Sequence, residues 1–341
     1  VRALTITDPG YVPRAPRAFA RVVLPYLEDA RDLPLVALIV QMTAILLPGA
    51  VYLFATPGFS WWLALAYWAL LYGCFFDRYI LMLHATSHRR LFRREYDRLN
   101  KYVPWVLGPL CGETPETYFA HHVAMHHVEE NLEPDLSSTM AYQRDSPRDF
   151  LRYLAEFLVL SMWRLGRYHA DRRRPALARN LLTGELSFYL LVALGLWLNW
   201  QAALVVLIVP FASCRFLMMC GNWGQHAFVD PADPGNPYRM ATTFINVRYN
   251  RRCFNDGYHV AHHLAPTRHW TELPGDFLAN RARYAEHDAI VLAGLDNFMC
   301  WALLMMRDYD RLARHFVELR ATPRSHAEIV ALLRARTHAI R

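Results

Sequence analysis

The chain has 341 residues, 54% of them apolar and 13% aromatic, and a formal net charge of +7. Its basic residues are all arginine except Lys101. They form no long run and no nucleic-acid-binding motif, so the charge points to a lipid surface or an acidic protein, not to DNA or RNA.

The first 32 residues mix acids and arginines and hold no apolar core followed by a cleavage site, so they read as cytoplasmic, not as a secretory signal. Residues 15–32 are expected to lie on a membrane interface as an amphipathic helix, with Phe19, Val22, Val23 and Leu24 inward. Four apolar stretches follow, at about 33–56, 60–80, 181–198 and 202–220. Crossing the hydrocarbon core takes about 20 apolar residues, and the first stretch, "LPLVALIVQMTAILLPGAVYLFAT", meets that without a charge. The connections "PGFS" and "NWQ" are short and uncharged, whereas segment 84–180 carries 15 arginines and lysines. That asymmetry is the one the positive-inside rule describes.

The expected fold is therefore an all-α integral membrane protein forming one domain over residues 1–341. Four transmembrane helices pair in two hairpins, and a helical cytoplasmic cap is built from 84–180 and 221–341. Glu185 and Arg215 interrupt the third and fourth spans, and Asp77 and Arg78 end the second. A charge there faces a partner, faces water, or snorkels to the interface. Residues 150–165 read as a second interfacial helix, "DRRRP" at 171–175 as a loop near headgroups, 288–320 as helical, and the arginine-rich tail as solvated. Among the six cysteines, Cys74, Cys111, Cys214, Cys220, Cys253 and Cys300, there is no CxxC pair, which fits a reducing compartment.

Sixteen histidines are present, and most are grouped. His84 and His88 follow the second span; "HHVAMHH" covers 121–127; Asn222 and His226 follow the fourth span; His259, His262 and His263 form "HVAHH". Residues three or four apart share a helix face. Each group thus offers its imidazoles on one face, and all groups fall at the same side of the expected membrane. One structural zinc uses four ligands. Nine imidazoles suit two metals, and imidazole alone does not choose among iron, zinc, copper and nickel. His169, His287, His315, His326 and His338 lack such company and read as surface residues.

The order HxxxH, HxxxHH, NxxxH, HxxHH, interleaved with two apolar hairpins over about residues 33–275, resembles the membrane fatty acid desaturase and hydroxylase superfamily. The resemblance implies two iron ions held by His84, His88, His122, His126, His127, His226, His259, His262 and His263, with Asn222 reaching one metal through water. The first box departs from many relatives in having Ala85 where an acid is common. The second begins with an extra histidine, so His121 competes with His122 as ligand. Glu129, Glu130, Asp135 and Asp256 are candidates to orient the rings.

The implied activity is O2-dependent oxidation of a fatty acyl chain, first of all desaturation, with hydroxylation or oxidative decarboxylation of a free fatty acid to a 1-alkene as alternatives. The last would place the chain in the bacterial 1-alkene-forming branch, with Arg248, Arg251, Arg252 or Arg268 to hold a headgroup. No haem-binding segment, ferredoxin cysteine set or GxGxxG fingerprint is present, so electrons are expected from an external donor such as a ferredoxin and its reductase. The expected location is a bacterial inner membrane, with termini and active site cytoplasmic and membrane lipid as surroundings. A different class, a non-enzymatic membrane metal carrier, would place its ligands near the bilayer midplane in broken helices.

Overall fold

The computed structural model describes residues 4–10, 12 and 18–340; the start of the expected interfacial helix, 15–17, lies outside them. The chain divides into two compact units, one of residues 12–123 and 163–216, the other of residues 1–11, 124–162 and 217–341.

The first unit carries the apolar helices. Leu33–Ala55 packs on Trp61–Leu70 and on Pro175–Ala203. Trp61–Leu70 continues through a π-helical turn, Leu71–Phe75, into Phe76–His88. Two helical stretches, Ala30–Ala55 and Pro175–Gln225, are long and apolar enough to cross a membrane. The backbone leaves helical geometry at Asn199, φ −160° and ψ 101°, inside the connection expected between the third and fourth apolar segments. At its N-terminal edge Ala18–Val23 is helical; Phe19 and Val22 are exposed and Val23 and Leu24 half-buried, so the apolar side of this helix is turned outward.

Segment 112–117 of this unit is pressed against the long helices. A Cβ on Gly112, where φ is +78°, would meet the Pro210 carbonyl, and one on Gly184 would meet that of Pro115. Only glycine fits such an approach, and at Gly112 also such a φ. The close contact delivers Thr114 and Thr117 to Glu185: their hydroxyls lie 2.5 and 2.7 Å from its Oε1, and Arg215 Nη2 lies 3.3 Å from the same oxygen. Glu185 and Arg215 therefore do not snorkel. They form a buried ion pair, Arg215 also lying over the Phe211 ring.

Among its described residues the second unit carries helices and two three-residue parallel strands, Thr243–Ile245 and Val291–Ala293, paired Thr243 to Val291, a small departure from the all-α expectation. Phe150, Tyr153 and Phe157 of helix Pro147–Asp171 pack on Met219, Cys220 and Trp223, while Leu151, Leu158 and Val159 are exposed. The tail is not solvated as expected. Helix His326–Ala335, with a capping box between Ser325 and Glu328, buries Ile329 and Leu333 against Leu303, Leu304 and Leu312. The arginines there mark one face only; the apolar residues at 329, 330, 332 and 333 follow helical spacing and outweigh them.

Candidate metal centre

Four buried imidazoles meet within the second unit. His126 ends the π-helix Phe119–His126, His226 follows helix Val209–Gln225, and His259 and His263 stand one turn apart on His259–Leu264. One nitrogen from each lies within 4.8 Å of the others. His259 Nε2 is 3.0 Å from His226 Nε2 and 3.1 Å from His263 Nε2. Nitrogens bound at right angles to one ion, with bonds of about 2.1 Å, sit about 3.0 Å apart, so this spacing fits neighbouring positions around a single metal.

The far side of the rings decides their state. His126 Nδ1 donates to Asp135 Oδ2 across 2.6 Å, and His226 Nδ1 to the Met240 carbonyl across 3.1 Å. Those acceptors fix the proton on Nδ1 and leave the Nε2 lone pairs facing the cluster. Burial drives the His226 imidazole down to about 3 and that of His263 well below the usual range, so both are neutral, the form that binds metal. His263 Nδ1 is buried without a hydrogen-bond partner among the described residues. Lone pairs gathered in a dry pocket repel one another, and a cation between them removes that repulsion. The four residues fit a metal ion.

Behind them a loop is tied in layers. Asp135 accepts from the Asn131 amide at 3.0 Å and from the Ser137 amide and hydroxyl at 2.8 and 2.7 Å. Asn131 Oδ1 accepts from the Thr139 amide, and the Thr139 hydroxyl donates to the His226 carbonyl at 2.7 Å. Of the four acids expected to orient the rings, Asp135 does so. Asp256 accepts from Gln225 Nε2, and Glu129 and Glu130 are half-buried.

The remaining box histidines fall into two groups. Within the second unit, His127 Nε2 and His262 Nε2 face each other at 2.8 Å. The triplet at 259–263 is thus divided: His262 faces His127, His259 faces His226, and His263 lies against His126, His226 and His127. Within the first unit, His84, His88 and His122 form a triad with ring centroids 4.6 to 5.1 Å apart, and Tyr118 packs on His122. It is His122, not its neighbour His121, that joins the clustered donors. His88 also lines a cavity of about 440 Å³ together with Thr86, Arg89, Lys101, Thr114 and Glu116.

Two histidines expected at the surface need correction. His169 is fully buried, its Nε2 bonded to the Ala120 carbonyl at 3.0 Å, and His315 is half-buried against the Ala293 carbonyl. Asn222 donates both amide hydrogens, to the Ser137 carbonyl and the Tyr153 hydroxyl, leaving Oδ1 as its acceptor. Arg268 is held by Asp276 at 2.6 Å. Buried His269, paired with Thr271, was signalled by no cluster.

The sequence profile for fatty acid desaturases matches residues 18–293, which include every box. The chain belongs to the fatty acid desaturase family. No curated protein matches it. Membership implies an oxidoreductase acting on a fatty acyl substrate, in a membrane-associated family that typically binds iron. In this desaturase-family chain the match ends before the last three helices, so residues 294–341 lie beyond it.

Proposed function

We propose that this chain is an O2-dependent di-iron enzyme that inserts a C=C bond into a fatty acyl chain. Family membership supports acyl-chain oxidation, and the observation that carries the metal reading is the buried four-imidazole set, in which His126 and His226 have their protons held on the outer nitrogens. In this reading His126, His226, His259 and His263 hold one iron. His84, His88, His122, His127 and His262 hold the other, and Asn222 reaches a metal through water.

The second ligand set draws its support from the triad of His84, His88 and His122 and from the facing rings of His127 and His262. The resemblance to the desaturase superfamily implies two irons held by these nine histidines together. The irons supply the O2 activation that an unactivated C–H bond demands. The protein's residues hold ring tautomers, through Asp135 and the Met240 carbonyl, and keep water from the buried set.

Four membrane spans, with the histidines on the cytoplasmic side of a bacterial inner membrane, complete the proposal. The two apolar stretches support it, as does the exposed apolar face of helix Pro147–Asp171, suited to lie among lipid headgroups. Arginines at 89, 90, 93, 94 and 98 suit the docking of an acidic electron donor such as a ferredoxin, whose reductase supplies the electrons.

The test is gas chromatography–mass spectrometry of lipids and headspace from cells expressing the protein, beside a His262→Ala control. New internal alkenes that vanish in the control support desaturation. 1-Alkenes or hydroxy acids move the assignment to the decarboxylase or hydroxylase outcome. No new product, and no O2 consumption with lipid and reductant, returns the chain to the metal-carrier class.

A further inference from the structure

Arg144 is among the largest fully buried side chains, and among the described residues it pairs with no carboxylate. Its guanidinium is surrounded by carbonyl oxygens instead. Nε donates to Ala227 O at 2.9 Å, and Nη1 to Thr139 O and Met140 O, each at 3.1 Å, and to Tyr142 O at 3.3 Å. Nη2 donates to Arg336 O at 3.0 Å and His338 O at 2.6 Å. The backbone repeats the connection, since the Arg144 amide donates to Thr337 O and Trp223 Nε1 donates to Arg144 O.

Burying a cation with no counter-charge is costly, and an apolar side chain would fill the space at less expense. What the fork provides is five N–H groups in one rigid plane, able to hold several strands of backbone at once. It joins three. One is loop 139–142, whose Thr139 reaches the His226 carbonyl and, through Asn131 and Asp135, His126. The second is the Ala227 peptide, next to His226. The third is segment 336–338, past the end of the family match at 293.

We propose that Arg144 is a positioning residue for the metal centre, bracing the backbone stretches that carry His126 and His226 against the C-terminal segment 336–338. The proposal rests on the reading of the four-imidazole set as a metal site. It assigns residues outside the shared family region a part in holding the metal.

The experiment uses full-length protein and Co²⁺ alone as the probe, following its visible absorption on binding and its release to excess chelator. Arg144→Lys replaces the planar fork by a point charge; Thr139→Val removes the hydroxyl that holds the His226 carbonyl. Both are expected to shift the Co²⁺ absorption and to speed its release by about tenfold or more, the usual effect of losing an outer-layer partner. His338→Ala keeps the carbonyl and is expected to match the parent. If both variants unfold at lower temperature yet keep the parent's absorption and release rate, Arg144 is a structural brace only and the inference falls. Should Arg144→Lys not fold, Thr139→Val decides by the same two readouts. A parent that binds no Co²⁺ overturns the metal reading itself, a distinct result.

Discussion

In one unit the buried charges Arg144 and Asp135 are wrapped mainly in backbone amides and carbonyls; in the other, Arg215 faces Glu185 across 3.3 Å between apolar helices. Histidines follow this division in part, since His84 of the first unit is buried and His127 of the second is half-buried. His126, His226, His259 and His263 are all buried, whereas His88 and His122 are half-exposed and His88 lines an open cavity. Backbone groups cannot move without moving the fold, so the first arrangement fixes ring geometry. A charge pair balances a low-dielectric surrounding but does not fix geometry as tightly. The contrast is between a closed set of imidazoles and rings that are in part exposed.

The sharpest way to break this contrast is ligand removal. His226→Ala is expected to abolish product formation and to lower bound metal by one ion per chain, measured by elemental analysis; His88→Ala should spare the ion of the closed set. Equal losses from both variants would mean that the sets do not differ. Next in size is the ion pair. Glu185→Ala leaves Arg215 buried without this carboxylate and is expected to cost about 3–5 kcal/mol in denaturant unfolding, while a paired Glu185→Leu, Arg215→Met change should cost much less. Comparable losses from the single and paired changes would remove the pair from the account.

Glu113, fully buried near the same pair, is pushed up to about 7 by burial. Its folded form binds a proton more tightly than the unfolded chain does, so its stabilising contribution is complete below about 4.5 and is lost as pH rises through about 7. Glu113→Gln should flatten the stability–pH curve across that window by a few kcal/mol. A curve unchanged by the substitution would show that the burial is not felt. The smallest effect sharpens the closed set: Asp135→Asn should weaken metal affinity by about 10–100-fold while leaving the triad of His84, His88 and His122 unaltered.

The sequence displayed the clustered histidines because density and spacing are local properties. His84 with His88, and Asn222 with His226, needed only helical periodicity to be recognised. The allocation of His259, His262 and His263 to different neighbours was hidden, because it depends on which chain segments arrive opposite each ring. Likewise the winding of 119–126 has no composition signal, so i, i+4 spacing suggested a shared face for His122 and His126, which belong to different groups. Glu185 and Arg215 stood out as charges in apolar stretches, yet their pairing depends on Gly112 and Gly184 admitting segment 112–117. In the tail, arginine content outweighed a readable apolar pattern at 329 and 333, and the tail was misread as solvated.

The π-helical turn at 119–126 has a consequence for tolerance to change. Removing one residue between His122 and His127 would favour ordinary winding and change the angle between the imidazoles on either side of the deletion. Substitutions at Val123, Ala124 and Met125 preserve the count, whereas an indel of a single codon does not. This short stretch is where the gene should accept new letters more readily than a new length.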